Sequence, residues 1–286
     1  MRIRREPAIQ IKTAAQLAAM AEAGQVVARA LSAAAAAAAP GVSAADLDSI
    51  AAREIREAGA APSFLGYHGF PATTCVCIND EIVHGIPRAA RRLQAGDVVS
   101  IDCGAIVRGW HADAAVTVPV GPVTAELGRL IATCERALWH GLAAARVGAR
   151  LGDVSHAVER CARAAGPGGR AGKYGIVEDY VGHGIGSEMH MDPPVPNLGR
   201  PGRGPVLTEG MALAIEPLLV LGSPATRLLD DGWTVVTEDG SPAAHFEHTV
   251  AITSGGPWVL TATDGGREGF ARLAQQPPRD LAQSHS

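Results

Sequence analysis

Aromatic side chains are scarce in this chain: Trp, Tyr and Phe together make up 4% of 286 residues. With so few rings and 34 glycines, closely packed helices and strands are expected rather than aromatic-lined grooves. Lysine is nearly absent, so arginine supplies almost all of the 25 basic residues; their scatter reads as codon bias, not as a phosphate site. A formal charge of −4 leaves no footprint for nucleic acid or an anionic membrane surface. The five cysteines (Cys75, Cys77, Cys103, Cys134, Cys161) are odd in number and lack framework spacing. That excludes a disulfide-stapled fold and favours a reducing compartment. Long apolar runs are missing too. Residues 33–39 are too few and too weakly hydrophobic to span a bilayer, and no apolar stretch follows the basic residues 1–5, so the cytoplasm is the expected location. Nor is there a His-Glu-x-x-His pair, a Gly-x-Ser-x-Gly elbow, a Walker loop or a dinucleotide fingerprint.

Hydrophobic residues nevertheless make up 47% of the chain, enough for a substantial core. Helical patterns run over 13–39 and 43–58, with Pro40-Gly41 between them and Ser43 and Asp46 at capping-box spacing. Strand-like runs follow at 73–78, 97–103 and 112–120, the last two joined through 104–111 as a hairpin. The second half repeats the order. Helices are expected over 124–145 and 154–165 with Gly148 and Gly152 between them, then strands at 174–181, 211–220, 232–237 and 244–253. This predicts an α+β fold, duplicated from a unit of about 120 residues around one core. Residues 192–205 read as loop, and 265–286 as a frayed tail.

The strongest chemical signal is acidic residues inside apolar strands. Asp102 follows Val98-Val99-Ser100-Ile101, Asp113 precedes Ala114-Ala115-Val116, Glu216 follows Ala212-Leu213-Ala214-Ile215, and Glu247 precedes His248-Thr249-Val250. Each half offers a pair, and four carboxylates in a low-dielectric pocket cannot all stay ionised alone. Two divalent cations would cancel their charge and make an oxygen-rich hydrolytic site that an imidazole could complete. Singly, such an acid is as readily a capped turn or a paired ion. The imidazole candidates are His183, flanked by Gly182 and Gly184, His190 seven residues on, and His84 before Gly85-Ile86-Pro87; a lone histidine at a strand end is otherwise structural. Cys75 and Cys77 share a strand face and read as core or pocket lining, because no second pair completes a zinc site. His245 and His248 read as supports for Glu247.

Several stretches, taken in order, resemble the type I methionine aminopeptidases, metallopeptidases of the pita-bread fold. They are Gly66-Tyr67-His68-Gly69-Phe70-Pro71, 79–87, 96–102, Gly182-His183-Gly184-Ile185-Gly186, 209–217, 231–237 and Glu247-His248-Thr249. The resemblance runs from about Ala14 to Gly256. It implies two pseudo-symmetric helix–helix–strand halves (about 13–120 and 121–256) around a curved antiparallel sheet, with a short extension (1–12) and a C-terminal tail (257–286). It also implies that Asp102, Asp113, His183, Glu216 and Glu247 hold two divalent ions (Mn, Fe, Co or Zn), bridged by Asp113 and Glu247. The implied activity is removal of the N-terminal Met of nascent polypeptides with a small second residue, by attack of a metal-bridging water on the scissile carbonyl. Glu216 would accept a proton, His190 would bond the carbonyl oxygen, and His84 would contact the peptide nitrogen. Tyr67, His68, Phe70, Cys75 and Trp233 would form the methionine pocket. A monomer with a ribosome contact, and with no nucleic-acid or membrane binding of its own, completes what the resemblance implies.

Phe70 stands where the family often has Tyr, and Met191 where an acidic residue or Thr is common. The interval between Glu216 and Glu247 leaves no room for the helical insertion of type II enzymes. Two other readings share the fold. An X-Pro aminopeptidase carries a large additional N-terminal domain, and a metal-free binding protein loses ligand residues, whereas all five positions here hold suitable types.

Overall fold

In the computed structural model, which describes residues 9–165 and 174–275, side-chain caps set where the first helices begin. Thr13 and Gln16 bond reciprocally at the start of α1 (Ala14–Ala37), and Ser43 and Asp46 do so at α2 (Ala44–Glu57). The strands β1 (Ala61–Pro62), β2 (Thr74–Ile78), β3 (Glu81–Val83), β4 (Val98–Val107) and β5 (Trp110–Pro119) follow. Next come α3 (Ala125–Ala144), capped by Thr124, and α4 (Leu151–Ala164). Then follow β6 (Gly175–Ile176), β7 (Gly182–Gly184), β8 (Met191–Val195), β9 (Ala212–Ile215), β10 (Leu218–Val220) and β11 (Thr226–Leu228). The described residues end with β12 (Val235–Thr237), β13 (Ala243–His245), β14 (Glu247–Thr253), β15 (Gly256–Val259) and α5 (Arg267–Gln275).

The main antiparallel sheet runs β1-β4-β5-β14-β9-β7-β8, with β2 also on β4 and β15 on β14. Two three-stranded sheets, β13-β10-β6 and β11-β12-β3, extend it. Alternation along each strand sends one set of side chains to the helices. Val99, Ile101, Cys103 and Ala114 pack with Val27, Ala30, Leu31, Leu47 and Ile55 of α1 and α2. Leu213, Ile215, Val250 and Ile252 pack with Leu138, Leu142, Val154 and Val158 of α3 and α4. Two helix pairs thus cover the same face of one sheet, the duplicated α+β, pita-bread arrangement. Among the described residues no helix is long and apolar enough to cross a membrane.

Several boundaries differ from expectation. The hairpin strands β4 and β5 run on until a two-residue turn, Arg108-Gly109, with φ of 50° and 79°, the left-handed conformation that a tight hairpin needs. Gly152 lies inside α4 rather than before it, and only Gly175–Ile176 of 174–181 pairs. The expected strand 211–220 divides at Pro217, which has no N–H to donate, and 244–253 divides at Phe246. The run 232–237 shortens to β12, and the expected loop 192–205 begins inside β8. Residues 1–8 of the expected extension and 276–286 of the expected tail lie outside the described residues.

The described part of that tail is ordered structure. β15 pairs with β14, and Asp264 caps α5 by accepting the Glu268 N–H at 2.6 Å and the Gly266 N–H at 2.8 Å. Phe270 packs edge-on against Trp139 at 5.4 Å, and Trp139 in turn lies against His248, on the face of β14 opposite Glu247. Ending the chain at Gly266 is therefore expected to lower unfolding stability by about 2–3 kcal/mol, roughly one large side chain uncovered, and to shift tryptophan fluorescence to the red. Denaturant unfolding checks this; an unchanged midpoint would show that α5 is not part of the core.

Candidate metal centre

Strand register assembles this site from residues distant in sequence. Cys75 of β2 faces Asp102 of β4, Asp102 faces Ala115 of β5, and Ala115 faces Glu247 of β14. Ile215 pairs with His248 and Leu218 with His245, so Glu216 stands opposite Glu247 where Pro217 and Phe246 interrupt the ladder. One pleat along, a second row holds Gly104, Asp113, Thr249, Ala214 and His183. Residues directly opposed, or two apart on a strand, share a face. Asp102, Asp113, His183, Glu216 and Glu247 therefore all turn to the face away from the helices, separated only by Ala115, Ala214 and Thr249.

The side chains meet as the register requires. His183 Nε2 lies 3.8 Å from Asp113 Oδ2 and 3.7 Å from Glu216 Oε1. One donor atom each from Asp113, His183 and Glu247 fall within 4.8 Å of one another. Thr249 accepts the Asp113 N–H at 3.1 Å and donates to the Asp113 carbonyl at 2.8 Å, fixing that backbone. His183 Nδ1 sits 3.0 Å from the Gly184 carbonyl. A carbonyl can only accept, so Nδ1 carries the proton and Nε2 offers its lone pair to the acids. The flanking glycines are needed for close approach rather than for turning: a Cβ on Gly182 would collide with the Ala214 carbonyl, and one on Gly184 with that of Asp192.

Burial, then the neighbouring acids, push the carboxyls of Asp102 and Glu247 well above their usual range and that of Glu216 up to about 8. Burial raises Asp113 and lowers His183 to about 4. Asp102 Oδ1 and Glu247 Oε1 are buried without a hydrogen-bond partner among the described residues, an arrangement that costs free energy. Crowded acids, unpartnered oxygens and one free imidazole nitrogen form the donor set of a divalent transition-metal ion, so the residues fit such a group.

Beside the acids lies a buried apolar cluster. Phe70 and Cys75 are buried with Phe64, Ala72 and Met189, and Tyr67, Ile86 and Trp233 pack around them. Phe70 meets Trp233 edge-on at 5.1 Å. His68 is exposed, at φ 48°, with its ring against Tyr67 at 4.3 Å, and it stays outside the buried cluster. Tyr67 Oη bonds His190 Nδ1 at 3.0 Å, and the His190 ring lies 4.3 Å from that of His183. His84, at φ 59°, places its ring 5.8 Å from Tyr180 and 6.4 Å from Trp233. Residues that the sequence did not single out also line this region: Phe64, Met189 and Ile86 in the cluster, and His111, bonded to Ser63 at 3.0 Å, two residues from Asp113 on the same face. The i, i+2 spacing of His111 and Asp113 was the available signal for His111.

Between the ordinary carboxyl range and about 8, the folded metal-free chain carries more protons on these acids than the unfolded chain does. Its stability therefore falls as pH rises through that window. The buried histidines act oppositely below their unfolded value of 6.5, because the folded chain binds fewer protons there. Urea unfolding of chelator-treated protein is expected to show maximal stability near pH 6.5 and a decline toward pH 8.5. Added Mn²⁺ should stabilise most on the alkaline side, since cations displace these protons. A metal-free stability that climbs steadily to pH 8.5 would contradict the crowding of the acids.

Comparison with known proteins identifies the family. The pattern of metallopeptidase family M24 matches residues 18–254. The chain is 56% identical over 261 residues to "Methionine aminopeptidase 1" of Mycobacterium tuberculosis, covering 91% of this chain and 97% of that protein. A crystal structure of methionine aminopeptidase from Thermotoga maritima superposes with a TM-score of 0.85 at 40% identity, covering 89% of this chain and 99% of the other. Prolidase from Pyrococcus furiosus, at 21% identity and a TM-score of 0.67, is matched over 88% of this chain but 65% of its own and shares the fold alone. The chain belongs to metallopeptidase family M24, among its type I methionine aminopeptidases.

Proposed function

We propose that this chain is a metal-dependent aminopeptidase that removes the N-terminal methionine of nascent polypeptides with a small second residue. The observation that carries this reading is one sheet face holding four acids and an imidazole next to a buried cluster of aromatic, sulfur and aliphatic side chains. Asp102, Asp113, His183, Glu216 and Glu247 would hold the metal. Two ions follow from charge: four ionised carboxylates are balanced by two divalent cations, drawn from Mn, Fe, Co or Zn. When bound, such ions supply Lewis acidity, lowering the pKa of water and polarising a carbonyl.

The rest is the work of this chain's own side chains. Glu216, ionised once cations balance the acids, would accept the proton that an attacking water releases. With Tyr67 Oη as the donor to His190 Nδ1, 3.0 Å away, the His190 proton would sit on Nε2, where it can bond an oxygen that gains negative charge. His190 is neutral for that role, burial having lowered its pKa to about 4. His84, beside Trp233, contacts the peptide nitrogen. The pocket of Tyr67, Phe70, Cys75 and Trp233, with His68 at its outer edge, takes the thioether. Sulfur–ring contacts there contribute about 0.3–1.5 kcal/mol each. Phe64, Ala72 and Met189, packed behind these residues, would limit that pocket to one residue, as an exopeptidase requires. The catalytic unit spans about 13–256, a reading that the family match over 18–254 supports, and it would work as a cytoplasmic monomer that meets nascent chains at the ribosome.

Chelator-treated protein is expected to be inactive and to release Met from Met-Ala-Ser again when Mn²⁺, Fe²⁺ or Co²⁺ is added. Asp102→Ala and Glu247→Ala should remain folded and lose about a thousandfold or more in kcat/KM. No turnover with any of these ions would favour a binding protein on the same fold. Trp233→Ala should raise KM for Met-Ala-Ser by roughly tenfold with a smaller change in kcat; an unchanged KM removes Trp233 from the pocket.

A further inference from the structure

His245 has no part in the reaction described above, yet it lies on the same sheet face as the acids. Two residues before Glu247, it occupies the next row out, with Thr117 of β5 on one side and Leu218 on the other. Its main chain is clamped. The Thr117 hydroxyl donates to the His245 carbonyl at 2.6 Å and accepts its N–H at 2.8 Å. That spends the only proton of Thr117, so Ser100 Oγ, 2.9 Å away, must donate to it.

The ring held in this way is 3% exposed. Its Nε2 lies 3.7 Å from Glu216 Oε2 and 3.9 Å from Glu247 Oε2, and has no hydrogen-bond partner among the described residues. Glu216 Oε2 is the oxygen turned away from His183, whose Nε2 faces Oε1. Packing alone does not account for the arrangement, because an apolar side chain would fill the space without burying an unpartnered polar atom.

The geometry points to His245 as a positioning residue for the metal centre: its Nε2, 3.7 and 3.9 Å from the outer oxygens of Glu216 and Glu247, is placed to donate to them once they ionise and so to leave their other oxygens for divalent cations. This rests on the metal-binding reading of the site proposed above. Once ionised, both acids are acceptors only, and a neutral imidazole N–H between them is the matching donor. Partners of this kind orient metal-holding side chains and set affinity without touching the ion.

Calorimetric titration of the metal-stripped full chain with Mn²⁺ at pH 7.5 tests the role directly. His245→Leu is expected to weaken binding about ten- to hundredfold, whereas His245→Gln, whose amide N–H reaches the same place, stays within about threefold of the unaltered protein. Circular dichroism and thermal unfolding of the stripped proteins check that each is folded. Thr117→Val, which loosens the clamp and keeps the ring, is expected to weaken binding several-fold and decides the matter should His245→Leu not fold. Unaltered affinity in His245→Leu or Thr117→Val, or a His245→Gln protein as weak as His245→Leu, overturns the inference while leaving the metal site intact. An unaltered protein that binds no Mn²⁺ overturns the metal reading and this inference together.

Discussion

Four carboxyl groups buried side by side on one face of an antiparallel sheet repel one another, and the remainder of the site is arranged around that repulsion. Without counter-charge the acids retain protons, as the upward shifts of Asp102, Glu216 and Glu247 express. Divalent cations relieve the repulsion, and the neutral Nε2 lone pair of His183 is already turned to receive one. The sheet tolerates this cost because its other face is covered by α1, α2, α3 and α4, whose apolar packing holds the strands in register whatever the acids do.

Much of the site was legible in the sequence because an acid within an apolar strand breaks the pattern around it. Asp102 after Ile101 and Glu216 after Ile215 are conspicuous for that reason, and the two helix pairs announce themselves through capping and apolar spacing. What the sequence does not carry is register across strands. Nothing local says that Ala115 stands between Asp102 and Glu247, or that Glu216 faces Glu247 at the break made by Pro217 and Phe246. The same break cut the expected strands 211–220 and 244–253 in two. α5 escaped notice because Gly265-Gly266 masks the Asp264 cap, and its apolar face consists of little more than Phe270 and Leu273. His245 was read as a support for Glu247, but its contact with Glu216 is visible only in three dimensions.

Fold and specificity reside in different parts of the molecule. The sheet and its helices are shared with a prolidase at 21% identity, so they do not distinguish one dipeptide bond from another. Under the proposed function that choice would fall to the apolar cluster beside the acids, which is built from irregular segments: the turn at Tyr67–Gly69, Ala72 beyond it, Met189 ahead of β8, and Trp233 ahead of β12. Short connections carrying aromatic and sulfur side chains over a rigid acidic floor would allow the choice of residue to change while the chemistry stays fixed.

Anomalous diffraction from crystals soaked in Mn²⁺ tests the convergence of charge most directly. The expected map has two strong peaks among Asp102, Asp113, Glu216 and Glu247, one of them also beside His183. Peaks confined to the protein surface, or acids turned apart with ordered water in their place, would contradict the account.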